Sequence, residues 1–294
     1  MRKKQFALIT TETKTFTAKK LLQEAKNIGV QAYALNPFKT SLAIKKNQLI
    51  ITEKGKTTIT PAAVYRKTIT NSLAKTLEFF LWKMGAKVIN PWDKLTPHTK
   101  GKFGIYQILA KNQIPVPKSF LLTKIDQKDL CLKFFNYQFP LIVKTNSGTH
   151  GIGVFLAESL NSFKSLVDYL LGNKNQQEII IQEFIASSFG RDKRIVVLDG
   201  KILAAVERRN QKGDFRSNVF LGADVYPTKI TPTEEKIALK AMAVLGLNFG
   251  GLDMLFGKNS PVITEINAPC DYSFVEKVTN VPISREIIKF LLKV

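Results

Sequence analysis

Residues 251–267 read GLDMLFGKNSPVITEIN, and the fold turns on how this stretch pairs with itself. LDMLF is a short apolar run, GKNSP collects turn formers, and VITEIN is a second run with β-branched residues, so a β-hairpin is expected. Side chains alternate along a strand, which sends Glu265 and Asn267 to one face, and the returning chain can bring Asp253 beside them. Two carboxylates and an amide oxygen on one face make a hard-oxygen set suited to Mg²⁺ that is also held by phosphates. A plain solvated sheet face would accommodate the same three residues.

The 294 residues suffice for two or three domains, and a hydrophobic content of 45% can bury a substantial core. No run approaches the ~18 apolar residues of a membrane helix. The apolar part of MRKKQFALITTETK is too short for a secretion signal, and FALIT fits a first buried strand. Two distant cysteines, Cys131 and Cys270, fit a reducing, cytoplasmic compartment. Two histidines, His98 and His150, are too few for a His-based zinc site. The formal charge is +21, but its lysines are scattered and form no basic block. That pattern favours a solvated surface, with some attraction for acidic substrates, over a nucleic-acid groove. Five of the eight arginines, Arg191, Arg194, Arg208, Arg209 and Arg216, fall in one window, and guanidinium forks suit carboxylates and phosphates.

The first third alternates strand and helix. FALIT, TAKKLLQEAKNIG, VQAYALN, AAVYRK, NSLAKTLEFFLWKMGA (N-capped by Asn71 or Ser72) and KVIN imply a small parallel sheet with helices on its faces, ending near Trp92–Thr96. Then come a helix HTKGKFGIYQILAKNQ, extended IPVPKSF, a helix KDLCLKFFNYQ, strands PLIVKTN and VFLAES, a helix LNSFKSLVDYLLGN and a strand EIIIQEFI. RIVVLDGKILAAVERR fits a hairpin turning at Asp199-Gly200, and QKGDFRSNVFLGAD is loop-like. Thr231-Pro232-Thr233-Glu234 is a capping box with proline at the first helical position, opening a helix that Gly246 closes. After the 251–267 hairpin, NAPCDYSF leads to a last helix, SREIIKFLLK.

Between PLIVKTN and VFLAES runs Ser147-Gly148-Thr149-His150-Gly151-Ile152-Gly153. Glycines let backbone N–H groups crowd a phosphate, and hydroxyls add donors. The spacing is not that of a Walker loop, and no helix follows, which excludes a dinucleotide fingerprint. A plain hairpin loop is the competing expectation, and His150 is read as a loop residue. Lys144, on the apolar strand just before, favours the phosphate, since a lysine turned inward there needs a counter-charge.

Taken in order, PLIVKTNSGTHGIGVFLAE, IIIQEFI, GRDKRIVVLDGKILAAVERRNQKGDFRSN, NFGGLDMLF and VITEIN resemble the RimK-type ATP-grasp ligases, the ribosomal-protein glutamate ligases and their relatives. The likeness spans nearly the whole chain. It implies an α/β (α+β ATP-grasp) protein: a small N-terminal pre-ATP-grasp α/β domain at 1–95, a central subdomain with a glycine-rich lid at 96–185, and a C-terminal catalytic subdomain at 186–294, the last two enclosing ATP. It implies Lys102 and Lys144 as nucleotide lysines, with Ser147, Gly148, Thr149 and Gly151 around the phosphates. Gln182, Glu183, Phe184 and Ile185 match the strand whose backbone meets adenine, Asp192 falls near the ribose, and Arg194 lies near the phosphates. Arg209, with Arg194, matches a basic position around the phosphates and the substrate and is counted with the catalytic residues, and Arg216 and Asn218 match the pair facing the transferring phosphoryl group and substrate. Asp253, Glu265 and Asn267 match the ligands of Mg²⁺, or of Mn²⁺ in its place.

The activity implied is ATP-dependent carbon–nitrogen ligation through an acyl phosphate, adding glutamate or another acidic amino acid to a carboxylate acceptor, a small molecule or a peptide C-terminus. No membrane and no specific nucleic acid is expected as partner, and a homo-oligomer is compatible. An amino-acid ligase with other substrates, and a non-catalytic ATP- or nucleic-acid-binding protein, are the alternatives. The chain departs from the family where Asn267 is followed by Ala268-Pro269-Cys270-Asp271-Tyr272-Ser273 rather than small residues and Pro-Gly. It departs again where Val219-Phe220-Leu221-Gly222-Ala223 replaces a run containing Arg-Gly-Gly. Both segments border the substrates. With no paired histidine in evidence, Cys270 is read as a loop cysteine rather than a nucleophile.

Overall fold

The structure, a computed structural model, describes residues 5–45, 48–53, 56–57, 61–67, 72–91, 101–146, 148, 151–172 and 178–293. Asn71, the expected boundary at Trp92–Thr96, His98, Ser147, Thr149 and His150 lie outside the described residues.

The chain opens with β1 (Gln5–Ile9), α1 (Phe16–Asn27) and β2 (Gln31–Leu35). A small antiparallel sheet follows, β3 (Thr40–Lys45), β4 (Gln48–Glu53) and β5 (Lys56–Thr57), which the sequence reading did not anticipate. Then come β6 (Ala63–Arg66), α2 (Ser72–Lys83) and β7 (Lys87–Val88). Strands β2-β1-β6-β7 pair in parallel in that order. Residues 6–9 of β1 are all buried, because helices cover both faces of such a sheet. The Thr15 hydroxyl caps α1 by accepting from the Ala18 N–H, and Ala18, Leu21 and Ala25 form its buried stripe.

The middle of the chain is α3 (Gly101–Lys111), β8 (Ser119–Leu122), α4 (Lys128–Phe134), β9 (Leu141–Thr145), β10 (Val154–Ala157), α5 (Leu160–Gly172) and β11 (Ile179–Glu183). Its antiparallel sheet runs β10-β9-β11-β8. The glycine segment is the connection between β9 and β10.

The last part is β12 (Arg191–Leu198), β13 (Lys201–Arg209), β14 (Asp224–Pro227), α6 (Pro232–Val244), β15 (Phe249–Leu255), β16 (Val262–Asn267), α7 (Ser273–Thr279) and α8 (Ile283–Leu292). Its sheet runs β14-β13-β12-β15-β16. Asp199 and Gly200, both at positive φ, make the tight turn between β12 and β13. The capping box forms as expected, with Thr231 and Glu234 each accepting the other's backbone N–H.

The first and last sheets share one core. Phe6, Leu8, Leu21 and Tyr65 pack with Val196, Val206, Phe249 and the α8 residues Ile287 and Leu291. The other face of the last sheet, through Ile195, Val197 and Leu252, packs on α6 and on Leu109 of α3. Among the described residues no helix is long and apolar enough to cross a membrane.

Candidate functional site

Period-two alternation divides β12 and β13 into two faces. Ile195 and Val197 go to α6, while Asp192, Arg194 and Val196 go the other way. Towards the hairpin turn that second face is apolar and covered by α7, α8 and the first sheet. Towards the opposite end it turns polar and floors an open cleft.

Four charged side chains are joined here, Asp192, Arg208 and Asp253 at the floor and Arg194 beneath. Register sets Asp192 opposite Arg208 and Arg194 opposite Asp253. Arg208 Nε donates to Asp192 Oδ1 at 2.7 Å, its Nη2 pairs with Asp192 Oδ2, and the same Nη2 lies 3.1 Å from Asp253 Oδ1. Arg194 grips Asp253 with both Nε and Nη2, the latter at 2.9 Å. All four are buried. Burial pushes Asp253 up, but Arg194 and Arg208 outweigh it and hold its carboxyl below the usual value. Asp192 moves the other way, because burial prevails over Arg208. Such a set holds only as a unit, since removing one partner strands a buried charge.

The β15–β16 hairpin is present, with Asp253 paired to Glu265 and Gly251 to Asn267. The register jumps between Asp253 and Met254, leaving Thr264 as the extra residue of a β-bulge. The bulge turns Ile263 and Ile266 alike into the α6 core while Glu265 stays with Asp253. Asn267 lines an adjoining cavity together with Lys102, Tyr106, Gly148 and Glu265.

Two lysines face these acids. Lys144 on β9 is buried and donates from Nζ to the Tyr106 hydroxyl at 2.7 Å. Burial pulls it down to about 8, against an opposing pull from Glu265. Lys102, at the start of α3, donates to the Gly148 carbonyl at 2.9 Å and lies 3.6 Å from Glu265 Oε1. Asn146 anchors the same corner, accepting from the N–H of Phe103 through its side chain and of Lys102 through its backbone.

Arg216 forks onto Asp214, with Nη2 at 2.7 Å from Oδ2, and reaches the Gly151 carbonyl from Nη1 at 3.3 Å. Gly151 has φ +75°, and a Cβ there would meet the Asn218 amide, with Cγ at 2.8 Å, and Leu221 Cδ1 at 3.2 Å. Gly151 is therefore seated against the 216–221 turn. Ile142, Val154 and Leu255 supply apolar wall, and β11 delivers Gln182 to Ile185 to the same cleft. Gln182 donates to Ser119 Oγ, and Glu183 accepts from the Lys118 N–H, both at 2.7 Å.

Of the expected site residues, Lys102, Lys144, Gly151, Gln182, Glu183, Phe184, Ile185, Asp192, Arg216, Asn218, Asp253 and Glu265 line the cleft. Gly148 and Asn267 line the adjoining cavity. Arg194 lies beneath, holding Asp253. Arg209 is elsewhere: one position past Arg208, it points to the opposite face, where its Nε meets Glu207 at 2.8 Å and its guanidinium covers Tyr226. Its neighbour Arg208 lines the cleft instead. Only strand register separates the two, and their sequence alone did not reveal it. Cys270 is buried and pushed up to about 12 by burial, a poor nucleophile.

The acids fit a hard divalent cation in a limited way. Among the described residues no group of three or more His, Cys, Asp or Glu assembles. The available donors are therefore Asp253, Glu265 and the Asn267 amide. A carboxylate offers roughly four lone-pair positions. Arg194 and Arg208 take those on Asp253 Oδ1, Arg194 Nη2 takes one on Oδ2, and the second on Oδ2 is left. Glu265 lies 3.6 Å from the Lys102 ammonium.

Residues 99–291 match the model of the RimK-like ATP-grasp domain. A "Probable alpha-L-glutamate ligase" of Thioalkalivibrio sulfidiphilus (strain HL-EbGR7) is 30% identical over 291 residues, covering 98% of this chain and 95% of that one. A protein of the same description from Coxiella burnetii (strain Dugway 5J108-111) is 32% identical over 297 aligned positions, with the same coverage. Among solved structures, the ATP-grasp ligase PsnB complexed with minimal precursor, Mg and ADP superposes with a TM-score of 0.76 at 15% identity, covering 98% of this chain and 96% of that one. With residues 99–291 matching that domain and a relative 32% identical over 98% of the chain, the chain belongs to the RimK-like ATP-grasp family.

Proposed function

We propose that this RimK-like ATP-grasp ligase joins glutamate, through its amine, to a carboxylate of an acidic small molecule or peptide terminus, while ATP becomes ADP and phosphate. One observation carries the proposal: a single cleft runs from an apolar slot to a cluster of lysines, two arginines and paired carboxylates. The names of the relatives, probable alpha-L-glutamate ligases, favour glutamate.

In this reading adenine lies against Ile142, Val154 and Leu255 beside the backbone of residues 183–185. The phosphates run towards Lys144, Lys102 and the N–H groups of the glycine segment. Asp253, Glu265 and Asn267 would hold Mg²⁺, or Mn²⁺ in its place, which would supply charge neutralisation for the phosphates. An acceptor carboxylate oxygen attacks the γ-phosphorus as the bond to ADP breaks. The glutamate amine then attacks the acyl carbon, phosphate leaves with the acyl-oxygen bond pair, and the amine proton passes to solvent. Arg216 and Lys144 offset the repulsion between the two anions and hold charge that develops between them. The glycine segment, through Gly151 against Asn218, is the lid that would exclude water able to hydrolyse the acyl phosphate.

The division at 1–95, 96–185 and 186–294 belongs to the proposal. α3 opens the second segment yet packs on the sheet of the third, so Lys102 ties lid to carboxylates. Two free, buried cysteines support a cytoplasmic home. The test is phosphate release with ATP, Mg²⁺, an acidic peptide and each amino acid in turn. Glutamate or aspartate should be fastest, and a faster neutral or basic amino acid would overturn the substrate assignment.

A further inference from the structure

Tyr106 sits on α3 with only 3% of its surface exposed, three residues before Leu109, which the same helix sends into the core. Its hydroxyl is not idle. It donates to the Thr264 carbonyl on β16 and accepts from Lys144 Nζ on β9 at 2.7 Å, with that Nζ 5.2 Å from the ring centroid. A phenol has one proton, and Thr264 takes it, so towards Lys144 the oxygen can only accept. One oxygen thus joins a helix to strands of two different sheets. The residue after Thr264 is Glu265, and Tyr106 lines the cavity that holds Glu265, Asn267 and Lys102.

We propose that Tyr106 is a positioning residue, whose hydroxyl fixes the Lys144 ammonium at a set place relative to Glu265 before nucleotide arrives. The proposal rests on reading the cleft as the ATP site. A lysine is a point charge on a flexible stem with three donors. Holding one N–H on Tyr106 leaves two to meet phosphate and removes ordering that binding would otherwise require. The same acceptor favours the charged ammonium, which burial opposes.

The test compares ATP with adenosine, both measured by displacement of a fluorescent nucleotide, in wild type, Tyr106→Phe, Lys144→Met and the double variant. Tyr106→Phe should keep its melting temperature, lose affinity for ATP by about tenfold, and keep its affinity for adenosine. In the Lys144→Met background the same change should have no further effect on ATP, since the pair acts through one bond. Equal losses for ATP and adenosine, failure of Tyr106→Phe to fold, or an unchanged or additive ATP effect would each overturn the assignment. Wild-type protein that bound neither molecule would overturn the ATP site itself, and this proposal with it.

Discussion

Arg208 and Arg209 differ by one position and face opposite sides of β13. Arg208 holds Asp192 and touches Asp253 in a buried set, whereas Arg209 lies in the open with Glu207 and Tyr226. Replacing Arg208 by alanine leaves Asp192 buried without its fork, and breaking a buried pair costs ~3–5 kcal/mol. Urea denaturation should show that loss together with loss of ligation, while Arg209→Ala should match wild type in both. Lys144 makes a second residue-scale prediction. Its depressed value means that the free protein carries the ammonium below about pH 8 and loses it as pH rises through that point. ATP affinity, measured by calorimetry, should therefore weaken from pH 7 to 9, and Lys144→Met should abolish that pH dependence. A wild-type affinity that stayed flat across this range would separate Lys144 from the phosphates. For stability the sign reverses: the unfolded lysine binds its proton more tightly, so its burial is less unfavourable at higher pH.

At the scale of elements, alternation within each strand was legible and the relation between strands was not. GLDMLFGKNSPVITEIN announced a hairpin through its turn residues, and Glu265 and Asn267 two apart already implied a shared face. The bulge at Thr264 carries no glycine to betray it, and its role in turning Ile263 and Ile266 inward emerges only from pairing. Tyr106 escaped for a related reason: on an apolar helix an aromatic reads as core, and its ring is core, while its hydroxyl finds partners distant in sequence. α7 and β14 were missed because both are short, leaving too little periodicity to register. The glycine segment supports a prediction at this scale. Gly151→Ala combines a left-handed φ with a clash that the Asn218 side chain would have to yield to, which disfavours the seat of the proposed lid. Turnover should fall on the order of tenfold or more with little change in melting temperature, since strain of ~1–3 kcal/mol would fall on a surface segment. Wild-type turnover in Gly151→Ala would remove the lid's closure from the mechanism.

At the scale of the whole molecule, the β-α-β order of the first third foretold a parallel sheet, but not that α8 returns to bury it. Phe6 and Leu21 from one end meet Ile287 and Leu291 from the other, so the first and last sheets are stabilised by one apolar cluster. No local pattern encodes contacts between positions so distant in sequence. The charge of +21 acts at this scale too. Scattered lysines attract an acidic acceptor at long range, and salt shortens that reach to about 10 Å at 0.1 M. The Michaelis constant for an acidic peptide should accordingly rise with ionic strength, whereas an acceptor constant indifferent to salt would confine recognition to the cleft. The central claim is that a carboxylate of the acceptor is phosphorylated by ATP and then captured by glutamate. It is tested most directly by giving the enzyme ATP, Mg²⁺, glutamate and an acidic peptide whose terminal carboxylates carry ¹⁸O. The account predicts ADP and phosphate bearing one ¹⁸O atom for each amide formed. AMP with pyrophosphate, or amide accompanied by unlabelled phosphate, would contradict it.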